Sequence, residues 1–208
     1  MDLHLWLAFV AASVVLLLIP GPTVLLILSY ALSQGRRVAL ATVAGVTLGD
    51  FLAMSASLAG LGALVVASAT LFTVLKWVGA VYLVYLGVQL WRSAGGAALG
   101  ALTETRALPA RTVFGHAAVV TALNPKSIAF FIAFVPQFVN PSAPLAPQFA
   151  ILVATFVGLA GLNTLAWALL ADRMRARVAR PGVIAGLSRA GGAALVGMGL
   201  MTAALRRA

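Results

Sequence analysis

Two long apolar runs in this chain, Leu5 to Tyr30 and Val113 to Val139, are each interrupted by proline. The first break is Pro20-Gly21-Pro22 and the second is Asn124-Pro125-Lys126. Proline removes a backbone donor and clashes with the preceding turn, so each run predicts a broken helix rather than a continuous one. Both runs are long enough to cross ~30 Å of hydrocarbon. In hydrocarbon, backbone groups freed by a break must be met by protein or by cavity water. Interrupted spans at corresponding places in two halves of a membrane protein point to a transport site.

The rest of the chain has the same character. Of its 208 residues, 62% are hydrophobic and 9% are charged, against about 25% charged in a soluble domain. No polar stretch is long enough to fold alone. The expected fold class is therefore all-α: a polytopic membrane protein with six transmembrane helices, at roughly 4–30, 38–66, 71–91, 113–138, 146–170 and 183–205. The absence of cysteine excludes disulfides and thiolate–metal sites. The N-terminus lacks the basic start of a signal peptide, and its apolar run continues to Tyr30.

A net charge of +10 could signal nucleic acid, but here the arginines sit in short connections between apolar runs. One set of connections carries Arg36 and Arg37; Arg92, Arg106 and Arg111; and Arg173, Arg175, Arg177 and Arg180. The alternate set is nearly free of basic residues: the N-terminus, the turn near Ser68, and Asn140 to Pro147. The positive-inside rule places the first set in the cytoplasm and both termini outside, with Lys76, Arg206 and Arg207 as minor exceptions. Trp6, Trp77, Trp91 and Trp167 fall near span ends, where interfacial aromatics belong.

The two halves align with each other. Residues 1–95 form one three-helix repeat, 96–112 a cytoplasmic linker, and 113–208 the second repeat. Gly21-Pro22-Thr23 matches Asn124-Pro125-Lys126. Gly45 to Asp50 matches Gly158 to Asn163, and Gly79 and Gly87 match Gly191 and Gly199. An odd number of spans per half inverts the second copy in the membrane.

Asn is a preferred N-cap and Pro a preferred first helical residue, so Gly21-Pro22 and Asn124-Pro125 read as starts of half-helices. Each such end offers free N–H groups and partial positive charge, suited to a carboxylate. Lys126 adds a full charge there. Asp50 lies about thirteen residues past Arg37, roughly 18–20 Å into the membrane. An acid at that depth marks a pathway, a relay or an ion pair, and Lys126 is its natural partner. It is also placed to exchange a proton. The candidate substrate-binding residues are Pro20, Gly21, Pro22, Thr23, Thr47, Asn124, Pro125, Lys126 and Asn163, with Asp50 for proton coupling. Thr121 and Ser127 also flank the breaks, though Ser and Thr in membrane helices more often bond backbone. Gly45, Gly49, Gly158 and Gly161 read as close helix contacts, His116 as interfacial, and Phe130, Phe131, Phe134 and Phe138 as packing or lipid-facing.

The ordered set Ile19-Pro20-Gly21-Pro22, Gly35-Arg36-Arg37, Gly45 to Asp50 and Leu123-Asn124-Pro125-Lys126 resembles the LysE/RhtB family of bacterial amino-acid exporters. The resemblance covers nearly the whole chain. It implies a multi-pass protein of the bacterial inner membrane that exports amino acids or derivatives, in exchange for protons, as a homo-oligomer. Export direction and amino-acid identity come from this resemblance alone.

The expected function is thus a secondary active transporter with alternating access, whose partners are an amino acid, protons and the lipid bilayer, with no nucleic acid and no cofactor. With only one acid at that depth, a neutral substrate such as a homoserine-like, threonine-like or branched-chain amino acid is preferred over a cationic one. A passive pore for small polar solutes is the alternative, and it would need a continuous polar lining. An enzyme is disfavoured, since no nucleophile–His–acid set or metal-ligand cluster shares one depth.

Overall fold

The computed structural model describes residues 1–19, 22–67, 69–92, 108–140, 142–178 and 181–204. Among these there is helix and no strand. The helices are α1 (Leu3–Leu18), α2 (Pro22–Ala67), α3 (Ala69–Arg92), α4 (Ala110–Ala122), α5 (Pro125–Ala133), α6 (Leu145–Val178) and α7 (Pro181–Ala204), with a 3₁₀ turn at Val135–Phe138 after α5. Among the described residues three segments are long and apolar enough to cross a membrane: Arg37–Ala63, Thr73–Arg92 and Leu145–Leu169. The pair Ala110–Ala122 and Pro125–Phe138, bent by 43°, qualifies as a fourth when taken as one span. Leu3–Leu18 is apolar but shorter.

Element boundaries follow local chemistry. Asp2 caps α1 by accepting from the N–H groups of His4 (2.8 Å) and Leu5 (3.2 Å). Pro22, Pro125 and Pro181 each stand first in their helices, where the missing N–H costs nothing. Two connections expected as loops are helical instead. The backbone runs unbroken through Gly35-Arg36-Arg37, joining the end of the first expected span to the second. A single glycine costs only about 1 kcal/mol in a helix, Gln and Arg are good helix formers, and α2 has no proline after Pro22. For the same reason α6 continues past residue 170, through Asp172 and three arginines, to Val178. At the other end of α6, buried Gln148 ties down the expected turn. Its Oε1 accepts from the Asn140 N–H (2.8 Å), and its Nε2 donates to the carbonyls of Asn140 (2.9 Å) and Pro144 (3.0 Å).

Helix α2 packs on α4 and α6, and α3 packs on α7 and α5. Small residues make the closest of these approaches. A Cβ added at Gly45 would overlap the Phe114 carbonyl oxygen, and one at Gly49 would lie 2.6 Å from that of Ala118. Between α3 and α7, a Cβ at Gly87 or at Gly192 would meet the other's carbonyl oxygen at 2.6 Å, and one at Gly199 would meet that of Ala80 at 2.7 Å. Gly161 makes the expected contact, with Thr47, but Gly158 does not: nothing lies within 4 Å of a Cβ built there.

The core is a phenylalanine cluster. Phe130, Phe131, Phe134 and Phe138 are all buried, together with Phe9, Met54, Leu83, Phe156 and Leu195. Phe131 meets Phe156 edge-on at 4.8 Å, and Phe9 meets Phe138 edge-on at 5.5 Å. The four therefore pack inward and do not face lipid. Trp167 likewise packs against buried Ile27, Val46 and Ala117, whereas Trp77 and Trp91 are about half exposed on α3. On α3 they lie along an apolar outer stripe with Val74, Val78, Val81 and Tyr85, as on a helix turned toward lipid.

Candidate functional site: a polar seam at two helix breaks

Helix α1 stops because Pro20 follows it. Ile19 takes an extended conformation (φ −65°, ψ 120°), to which a following proline biases the chain. Pro20 has no N–H, and in a continuing helix that group would bond the carbonyl four residues earlier, that of Leu16. The Ile19 N–H reaches Leu16 O at 3.3 Å. The other donors come from the second half of the chain. Lys126 Nζ donates to Leu16 O and to Ile19 O, both at 3.0 Å. Asn163 Nδ2 donates to Leu17 O at 3.3 Å. An ammonium thus stands at the negative end of the α1 dipole, where a cation is favoured.

Helix α5 starts at Pro125, with Asn124 as its N-cap. Asn124 is extended (φ −67°, ψ 111°), as the residue before a proline should be. Its Oδ1 accepts from the Lys126 N–H at 3.1 Å. Its Nδ2 donates to Thr23 Oγ1 at 3.1 Å, and Thr23 Oγ1 lies 3.5 Å from Thr121 Oγ1. Asn124, Thr121 and Ser127 are all buried. Asn124 therefore joins the start of α2 to the α4–α5 break through its side chain.

Asp50 lies on α2 beside Gly49 and is 4% exposed. Gly49 touches α4 just before the break, against Thr121 and Ala122. The Asp50 carboxyl makes no hydrogen bond and no direct ion pair among the described residues, so the expected pairing with Lys126 is not a contact. The two groups are nonetheless close enough for each charge to act on the other.

The structure thus brings Thr23, Asn124, Pro125, Lys126, Asn163 and Asp50 to one region around the two breaks. Thr47 stands apart from their hydrogen bonds. It donates within its own helix to Val43 O at 2.8 Å and touches Gly161 on α6. Pro22 is the first residue of α2, while Pro20 and Gly21 lie outside the described residues. No group of three metal-ligating side chains occurs among the described residues.

The sequence reading missed the backbone acceptors of Leu16, Leu17 and Ile19. Part of their signal was present: a proline strands the carbonyl four residues before it, here that of Leu16, and a helix end leaves its last carbonyls free. It also missed the buried Tyr30 hydroxyl, which pairs with His116 Nδ1 at 2.7 Å. These residues stand 86 apart, and nothing local links them.

Comparison with known proteins places the chain in a family. The sequence profile of the LysE type translocator matches residues 14–205. The chain is 34% identical over 203 residues to an uncharacterized membrane protein of Vibrio cholerae, covering 98% of both chains. It is 34% identical over 208 residues to a homoserine/homoserine lactone efflux protein of Salmonella typhimurium, covering 100% of both. A leucine efflux protein of the same organism is 30% identical over 142 residues, covering 68% of this chain and 66% of that one. No solved structure matches. With the family profile spanning nearly the whole chain, the protein belongs to the LysE type translocator family.

Proposed function

We propose that this protein exports neutral amino acids, of the homoserine/threonine or branched-chain kind, across the bacterial inner membrane in exchange for protons. One observation carries the reading. The C-terminal carbonyls of α1 and the capped N-terminus of α5 converge on Lys126, with buried Asp50 within reach of its charge. Opposed half-helix ends beside ionisable groups are how membrane transporters build sites for zwitterions. The names of the Salmonella relatives support the choice of substrate class.

In this reading the chain is built as two inverted repeats, at 1–95 and 113–208, broken at their prolines, with both termini outside. The substrate carboxylate binds at the half-helix starts, Gly21-Pro22-Thr23 and Asn124-Pro125, helped by Lys126. Its ammonium lies toward Asp50, which exchanges the proton. Thr47 and Asn163 border the site. The protein works in lipid, as a homo-oligomer, without a cofactor.

Purified protein in proteoliposomes with an imposed pH gradient tests this. Homoserine or leucine should move uphill against its own gradient. The Asp50→Asn variant should insert normally but lose gradient-driven export, and Lys126→Ala should reduce transport at least tenfold. Only downhill flux, indifferent to the pH gradient, would instead mark a passive pore. Wild-type export by Asp50→Asn would remove Asp50 from the coupling.

A further inference from the structure

We propose that the carbonyls of Leu16 and Ile19 form the subsite for the substrate's ammonium group, and that the Lys126 ammonium fills this subsite as a built-in surrogate. The inference rests on the transport reading above and deepens it.

Three observations carry it. First, the chemistry at the end of α1 fits a primary ammonium. Leu16 O and Ile19 O both accept from one –NH₃⁺ at 3.0 Å, and Asn163 holds the intervening Leu17 O aside at 3.3 Å. Carbonyls at a helix C-terminus, with their partial negative charge, are general acceptors for such a cation. Second, the cation that occupies them comes from the side chain of Lys126, whose own backbone N–H sits at the capped start of α5. The ammonium position and the carboxylate-binding helix end are thus joined through one residue, as the two ends of an amino acid are joined through one carbon. Third, the Asp50 carboxyl is buried and has no hydrogen-bond or ion-pair partner among the described residues, yet it feels the Lys126 charge. A buried carboxylate without a partner costs several kcal/mol unless a cation approaches or it takes up a proton.

The exchange follows. An arriving amino acid offers its own ammonium to Leu16 O and Ile19 O and displaces that of Lys126. The lysine, a charge on a flexible stem, then turns toward the substrate carboxylate and leaves Asp50 to the substrate's ammonium. No bond is made or broken. One ammonium replaces another on the same acceptors, so charge at the end of α1 is conserved. A substrate lacking a primary ammonium cannot make this exchange.

The test uses purified full-length protein. Lys126→Ala removes the surrogate and leaves space for a small amine. Ethylammonium chloride at about ten times its Kd should raise the melting temperature of this variant by roughly 3–6 °C. Tetramethylammonium, which has no N–H, should not. Neither salt should shift the wild type or Lys126→Met, whose side chain refills the space. Homoserine should compete with ethylammonium in the Lys126→Ala variant. No ethylammonium effect, an equal effect on Lys126→Met, or no competition would overturn the proposal.

If Lys126→Ala cannot be purified folded, the wild type decides. Acetylation of Lys126, followed by mass spectrometry against Lys76 as reference, should change at least threefold on saturation with homoserine. An unchanged rate would make Lys126 a fixed cap of α1 and defeat the exchange. The two readings fail separately. Transport without ethylammonium binding or lysine movement defeats the surrogate alone, whereas ethylammonium rescue without amino-acid transport defeats the transport reading.

Discussion

Asn124 carries two interactions that different substitutions separate. Its Oδ1 caps α5 and its Nδ2 donates to Thr23. Asn124→Asp keeps the acceptor and loses the donor, while Asn124→Ala loses both and leaves buried partners unmet. The alanine variant should therefore lose about 1–2 kcal/mol more stability than an exposed-site control such as Leu123→Ala. Unfolding of the purified protein in detergent measures this. Equal stability of Asn124→Ala and the control would mean that water meets the freed groups. The cap itself was legible in the sequence, because Asn before Pro fixes both backbone conformation and hydrogen bonding within three residues. The link to Thr23 was not, since it spans 101 residues. Lys126 was legible as a charge beside the second break, but the carbonyls it holds were not, because a side chain's partner depends on how helices pack.

Glycines of similar sequence context differ sharply at the level of helix pairs. Gly87 and Gly192 let α3 and α7 approach until a Cβ on either would overlap the other's backbone. Gly87→Ala should push the helices apart and lower stability by about 1–3 kcal/mol. Gly158→Ala meets open space on α6 and should be neutral or stabilising by up to about 1 kcal/mol. Melting temperatures of the two variants, measured side by side, check the contrast; similar losses at both positions would refute it. The sequence could not tell these glycines apart, since each sits in an apolar helix and what faces it depends on how the helices pack. Helix existence was legible throughout, from the length of the apolar runs and from proline. Where helices end was legible only where proline or a cap intervenes. At Gly35-Arg36-Arg37 polarity suggested a loop, but polar residues with good helix propensity let the backbone continue.

At the scale of the whole molecule, orientation is open to direct test, because the chain has no cysteine to remove. In spheroplasts, an impermeant maleimide should label Ser142→Cys, in the turn before α6, but reach Arg111→Cys only after permeabilisation. External labelling at position 111 would reverse the proposed topology. The end of α1 has a further consequence, for biosynthesis. The ribosome makes Leu16 110 residues before Lys126, the residue that satisfies it, and Asn163 follows later still. Through that interval Leu16 O has only the Ile19 N–H, and Leu17 O and Ile19 O lack the side chains that meet them in the finished fold. The nascent first half must therefore stay at the translocon, or in contact with water, until the second half arrives. Expressed alone, residues 1–95 should be degraded, and co-expression of residues 96–208 should rescue them. The order of synthesis becomes part of how this break is closed.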